Sequence, residues 1–141
     1  MTTARTYSVA LTGLSGHIIT IDTDIANGLP AMTLVGLPDT ALREARDRIR
    51  AAVVNSGEQW PQQRITIGLS PASLPKRGSW FDLAIGVGIL AAAGSVPRDA
   101  ARAVMCLGEL GLDGRLRPVR GVLPAVAAAA RQGFGTLLVA A

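Results

Sequence analysis

One cysteine, one histidine, one lysine and five aromatic residues in 141 positions set the first limits on this chain. A single thiol, Cys106, cannot close an internal disulfide, which excludes a disulfide-stapled scaffold and fits a reducing compartment. It lies in the apolar run Ala103-Val104-Met105-Cys106-Leu107 and is expected to be core rather than nucleophile. One histidine, His17, and one cysteine cannot supply a zinc-type ligand set. His17 follows a turn glycine at a strand start and is expected to be structural. A Ser-His-Asp triad would have to use it, and a Ser-Lys dyad would have to use Lys76. No Gly-x-x-x-x-Gly-Lys-Ser/Thr loop occurs, so this segment holds no Walker-type nucleotide site. The longest apolar run, residues 83–93, has 11 residues and two glycines, against about 20 for a membrane span. The first residues lack the basic, apolar and small-residue pattern of a secretory signal. A soluble cytoplasmic chain is expected, with no membrane partner.

What is present is aliphatic. Hydrophobic residues make up 49% and charged residues 17%, too apolar for a disordered chain. The length suits one domain, which can bury a core without staples. Fourteen basic side chains against ten acidic ones leave +4, and all the bases except Lys76 are arginine. That balance is compatible with phosphate-bearing partners and equally with an ordinary surface.

The period-two alternation predicts strands over 6–13 and 17–25 around a Leu14-Ser15-Gly16 turn. In the second, Ile19, Ile21, Thr23 and Ile25 alternate with Ile18, Thr20, Asp22 and Asp24. A short strand over 32–35 ends at Gly36-Leu37-Pro38-Asp39, where Asp39 or Thr40 can cap a helix over 39–55. Leu42, Ala45, Ile49, Ala52 and Val53 recur at helical spacing and should face a sheet. Arg43, Arg46 and Arg50 fall opposite, as a salt-bridged solvated face or, more sharply, a phosphate-binding comb; Glu44 and Arg48 stand at i,i+4. A strand over 64–69, a long loop over 70–78 and an all-round apolar, buried helix over 81–93 come next. A hairpin joining 104–112 to 115–117 through Asp113-Gly114, a helix over 121–132 closed by Gly133, and a strand from 136 follow. The mixture gives an α+β class.

Several segments together resemble the N-terminal domain of the ComM (YifB) type of magnesium-chelatase-like AAA+ ATPases. They are Asn27-Gly28-Leu29-Pro30, Val35-Gly36-Leu37-Pro38-Asp39 running into Glu44-Ala45-Arg46-Asp47-Arg48, and Ser70-Pro71-Ala72-Ser73-Leu74-Pro75-Lys76-Arg77-Gly78 followed by Phe81-Asp82-Leu83-Ala84-Ile85. Gly108-Glu109-Leu110 with Gly114-Arg115-Leu116-Arg117-Pro118-Val119-Arg120-Gly121 completes the set. The resemblance covers essentially all of residues 1–141, one domain. It implies that an ATPase domain follows Ala141, where the chain stops on an apolar stretch, and that ATP and magnesium act there rather than in this segment. It further implies a sheet with two principal helices, as in the proteolytic domain of Lon and in GHMP kinases. Lon's serine position is matched by Trp80, with Ser79 one residue early, and its lysine position by Leu123. A dyad needs a desolvated lysine to take the serine proton, and leucine cannot.

The resemblance therefore implies no catalytic role for this segment. It implies a module of a hexameric, DNA-engaging protein that promotes branch migration in recombination and natural transformation. Candidate phosphate contacts are Lys76 and Arg77 in the long loop with Arg115, Arg117 and Arg120 at the hairpin, binding DNA without reading sequence. A purely structural oligomerisation scaffold without DNA contact is the alternative. A residual serine hydrolase using Ser79 or Ser73 with Lys76 stands last.

Overall fold

The computed structural model describes residues 2–36, 39–71 and 78–140. The chain opens with two long antiparallel strands, β1 (Thr2–Thr12) and β2 (Ser15–Ala26). They run in register from Thr2 opposite Ile25 to Thr12 opposite Ser15. Their turn is the two residues Gly13-Leu14, not the predicted Leu14-Ser15-Gly16. Gly13 takes φ +62°, which a tight hairpin turn favours and glycine adopts without strain, and that frees Ser15 and Gly16 for the strand.

Next come β3 (Ala31–Val35), α1 (Asp39–Asn55) and β4 (Arg64–Ser70). A 3-10 turn over Gly78–Phe81 leads into α2 (Asp82–Ala92), which α3 (Arg98–Arg102) follows. The last part holds β5 (Met105–Cys106), β6 (Glu109–Leu110), β7 (Leu116–Arg117), α4 (Val122–Arg131) and β8 (Leu137–Leu138). Six strands form one mixed sheet in the order β3-β4-β2-β1-β5-β8, while β6 and β7 make a separate antiparallel pair. β3–β4, β1–β5 and β5–β8 are parallel; β2–β4 and β1–β2 are antiparallel. The α+β class and the mixed sheet with two principal helices on its core face are as expected.

Alternation sorts the two faces of the sheet. Ile19, Ile21, Ile25, Ile65, Ile67 and Leu69 point to one side and are almost wholly buried under α1 and α2. Helix α1 turns Ala45, Ile49, Ala52 and Val53 inward as its spacing predicts, leaving Arg43, Arg46 and Arg50 exposed. Helix α2 is apolar all round because it lies between the sheet, α1 and α3. Gly88 lets it seat closely, since a Cβ there would stand 2.7 Å from Thr23 Oγ1. The Thr6 hydroxyl donates to the Ala84 carbonyl at 2.8 Å, which ties the same helix to β1. On the opposite face α4 covers only one end of the sheet, packing Ala125, Ala128 and Ala129 on Val9, Met105 and Leu107.

Two expectations need correction. The predicted strand over 104–112 is two strands in two different sheets. It breaks at Gly108, whose φ of +148° turns the chain while its N–H donates to the Trp80 carbonyl and its own carbonyl accepts from Leu83 N–H. Helix α3 was absent from the expected elements, because Arg98–Arg102 is five residues, too short to display a period. The side chain of Asp39, one of the two expected caps, and residues 72–77 of the loop expected over 70–78 lie outside what the structure describes.

Candidate functional site

Three segments converge beside the end of β1. The first is Ser79-Trp80-Phe81, held by the two Gly108 bonds and by the residue that follows it. Asp82 is fully buried and accepts two bonds from the Arg48 guanidinium, at 2.8 and 3.0 Å, and one from Leu110 N–H at 3.1 Å. Burial pushes the Asp82 carboxyl upward in pKa against the opposing pull of Arg48; the same hydrogen bond raises Arg48. The pair thus anchors the turn to α1. Sequence spacing had offered Arg48 only Glu44, which stands at 4.0 Å.

Trp80 packs between the two hydrophobic clusters, and its indole Nε1 is shielded from solvent and has no hydrogen-bond partner among the described residues. The second segment, Pro118-Val119-Arg120-Gly121, leads into α4. Gly121 caps that helix at φ +80°, and a Cβ there would collide with Leu11 Cδ1 and come within 3.6 Å of the Trp80 ring. The third segment is Ala10-Leu11 with Gly13. Together they enclose a cleft of about 560 Å³ that Glu109 also lines.

Leu123, the second residue of α4, is 80% exposed. Of the two residues expected at the dyad positions, Trp80 places an indole in the cleft wall and Leu123 an aliphatic side chain in solvent. Among the described residues no hydrogen bond joins the Ser79 hydroxyl to a histidine, lysine or carboxylate. His17 is exposed on β2, opposite Ala10. Among the described residues no three His, Cys, Asp or Glu side chains gather to hold a metal ion, and no helix is long and apolar enough to cross a membrane.

The candidate cations separate. Lys76, Arg77 and Ser73 lie outside the described residues. Arg115 and Arg117 sit together on the β6–β7 hairpin, where the side chain of Arg115 is 87% exposed and 4.0 Å from Asp113. The guanidinium of Arg117 folds over Gly111 beside the same carboxylate. Asp113 accepts the Arg115 N–H at 3.0 Å, and that bond together with both arginines holds its carboxyl below the usual range. Glu109 stands opposite Arg117 in the same hairpin, so its two arginines face two carboxylates. Arg120 instead lines the cleft. Among the described residues the exposed comb of α1 carries one weak pair, Arg46 with Asp47 at 3.4 Å.

A second cleft, of about 720 Å³, lies where α4 leaves the sheet uncovered. Arg5 and Asp22, opposite each other on β1 and β2, form an ion pair at 2.8 Å in it. Beside them Asp24 has one buried carboxylate oxygen with no hydrogen-bond partner among the described residues. Arg98 and Arg102 of α3 make its rim. Neither cleft was legible as a motif, because each draws its lining from segments far apart in the chain.

Comparison with known proteins follows this geometry. Residues 21–141 match the family model described as subunit ChlI of magnesium chelatase. A protein of Mycobacterium tuberculosis is 53% identical over 141 residues, all of this chain and 28% of its own length. The competence protein ComM of Haemophilus influenzae is 44% identical over 129 residues, 92% of this chain and 25% of its own. Lon protease of Mycolicibacterium smegmatis is 27% identical over 137 residues, 93% of this chain and 17% of its own, in keeping with the Lon-like sheet and helices. The chain thus spans about a quarter of the length of the first two relatives. With the family model covering all but the first twenty residues and ComM aligning with nearly all of it, this chain belongs to the ChlI family of magnesium-chelatase subunits.

Proposed function

We propose that this chain is a non-catalytic domain of a longer ComM-type ATPase, where it supports assembly of a hexamer and engages DNA during branch migration. The observation that carries the first half is the pair of side chains in the dyad positions. Trp80 carries no nucleophilic oxygen, and Leu123 stands in solvent with no basic nitrogen to take a proton. ATP and magnesium would act in the ATPase domain of the longer protein, and the cytoplasm is its expected place.

DNA engagement is supported by the β6–β7 hairpin. Arg115 and Arg117 are both exposed on this hairpin, with Asp113 beside Arg115 and Glu109 opposite Arg117, and guanidinium groups bind phosphate oxygens without reading bases. Aromatic side chains are not interleaved with them, so base stacking is not part of the contact. A fluorophosphonate probe should leave Ser79 unlabelled, and labelling there would restore a hydrolase. Reversing both hairpin charges, Arg115→Glu with Arg117→Glu, should weaken binding to single-stranded and junction DNA while leaving the thermal midpoint in place. Unchanged affinity would leave the domain as an assembly scaffold.

A further inference from the structure

We propose that the cleft on the uncovered sheet face is a self-association surface, in which α3 of a second copy of this chain seats and the two copies exchange arginine–aspartate contacts about a two-fold axis. The register of the sheet builds the floor in two rows. Thr3, Asp24 and Thr66 stand abreast on β1, β2 and β4, and Arg5, Asp22 and Gly68 stand abreast beside them. Alternation turns both rows to the face away from α1 and α2. Arg5 and Asp22 satisfy each other at 2.8 Å. Asp24 has no such neighbour. Among the described residues no ion pair reaches it and its buried oxygen has no donor, a state that costs free energy until a donor arrives.

The rim carries the opposite deficit. Arg98 and Arg102 lie at i and i+4 on α3, a spacing at which like charges repel. Both are exposed, as is Asp99 between them, and among the described residues none of the three makes an ion pair. Ala101 is buried and fixes the short helix to the body of the fold. Unmet charges of both signs therefore line one cleft and do not meet within one chain. An occupant has to bring an acid and a base at the spacing that separates α3 from β2. A second copy brings that spacing by construction, because a two-fold axis lays Arg98 and Arg102 of each copy over Asp24 of the other. The cleft has room for it. About 720 Å³ is open above the floor, and a Cβ on Gly68 would meet nothing within 4 Å. Other occupants match less well. Three carboxylates balance three guanidinium groups in the lining, so the phosphates of nucleic acid gain little there, and a simple anion would leave Asp24 as it is.

A two-fold contact closes at two copies, so this inference rests neither on the hexamer nor on the DNA contact proposed above. The experiment is sedimentation velocity of this chain over a concentration series at low and high salt. Low salt should show a reversible monomer–dimer equilibrium that high salt weakens. Arg98→Glu with Arg102→Glu, both on the surface, should weaken the dimer at least about tenfold, as expected when charge pairs across an interface lose one partner. Asp24→Lys should do the same. Because that position is partly buried, Asp24→Asn, of the same shape, should weaken the dimer with the thermal midpoint in place. The deciding arm mixes the chain reversed at both arginines with the chain reversed at Asp24. Each alone should stay monomeric, while the mixture should dimerise about as well as the parent, since every pair across the axis is again of opposite sign. Amide exchange in α3 should slow as the parent chain is concentrated. A monomer throughout the series, a dimer indifferent to these reversals, or a mixture no better than its components would overturn the proposal. A hexamer indifferent to them would overturn it too, and would leave the assembly reading standing.

Discussion

Arg48 and Asp82 form a two-pronged ion pair, 2.8 and 3.0 Å, across the junction between α1 and the turn that carries Trp80. Asp82 has no exposure and Arg48 keeps 20% of its side chain in contact with solvent. A buried pair of this kind adds little over an apolar substitute, yet removing one partner strands the other. Arg48→Met should therefore cost about 3–5 kcal/mol in urea unfolding, and Arg48→Met with Asp82→Leu should cost less than the single change. The pH dependence has a defined sign. Burial already raises the Asp82 carboxyl, and without Arg48 it rises further. A raised folded pKa stabilises below the unfolded value and is lost as pH climbs through the folded one. The deficit of Arg48→Met should be largest near neutral pH and shrink in acid.

Cys106 gives an alkaline counterpart. Burial pushes its thiol from 9.0 up to about 12, so the folded chain holds a proton that the unfolded chain releases. Stability from this group is complete below pH 9 and declines as pH rises toward 12, by a few kcal/mol at most. Subtracting the unfolding curve of Cys106→Ala from that of the parent chain should isolate this slope above pH 9. In the native chain the thiol should resist aromatic disulfide reagents until the protein unfolds.

Gly16 sets how closely α4 approaches the sheet. A Cβ there would stand 2.5 Å from Ala128 Cβ and 3.2 Å from Val9 Cγ1, and both neighbours belong to packed elements that cannot rotate aside. Gly16→Ala should destabilise by about 1–3 kcal/mol. Gly57→Ala meets no atom within 4 Å and should cost only the strain of its left-handed backbone. Thermal unfolding of the two variants compares crowding with backbone strain.

Local periodicity carried much of this architecture. The bounds of α1 followed from Leu42, Ala45, Ile49 and Val53, and the core face of β2 followed from Ile19, Ile21 and Ile25, because each pattern is complete within one element. Gly133 marked the end of α4 for the same reason. The partner of Arg48 was invisible, since Asp82 lies 34 positions away and only packing of α1 on the 3-10 turn brings them together. Gly108 read as part of a strand because its neighbours are apolar, while its two bonds to Trp80 and Leu83 exist only in the fold. The places of Trp80 and Leu123 in the fold had no local signature, since one lies in a cleft wall and the other on an exposed helix start.

The hairpin arginines yield the most direct test of the proposed DNA contact. Anisotropy of labelled single-stranded and four-way-junction DNA should be measured with this chain at two or more salt concentrations. The account predicts affinity that falls steeply with salt, with a slope of about 0.7 per phosphate on single strands and 0.9 on duplex arms. Replacing Arg115 and Arg117 by glutamate should reduce that slope by one to two phosphate contacts. No binding at low salt, or a slope indifferent to both arginines, would contradict the claim that this domain itself touches DNA.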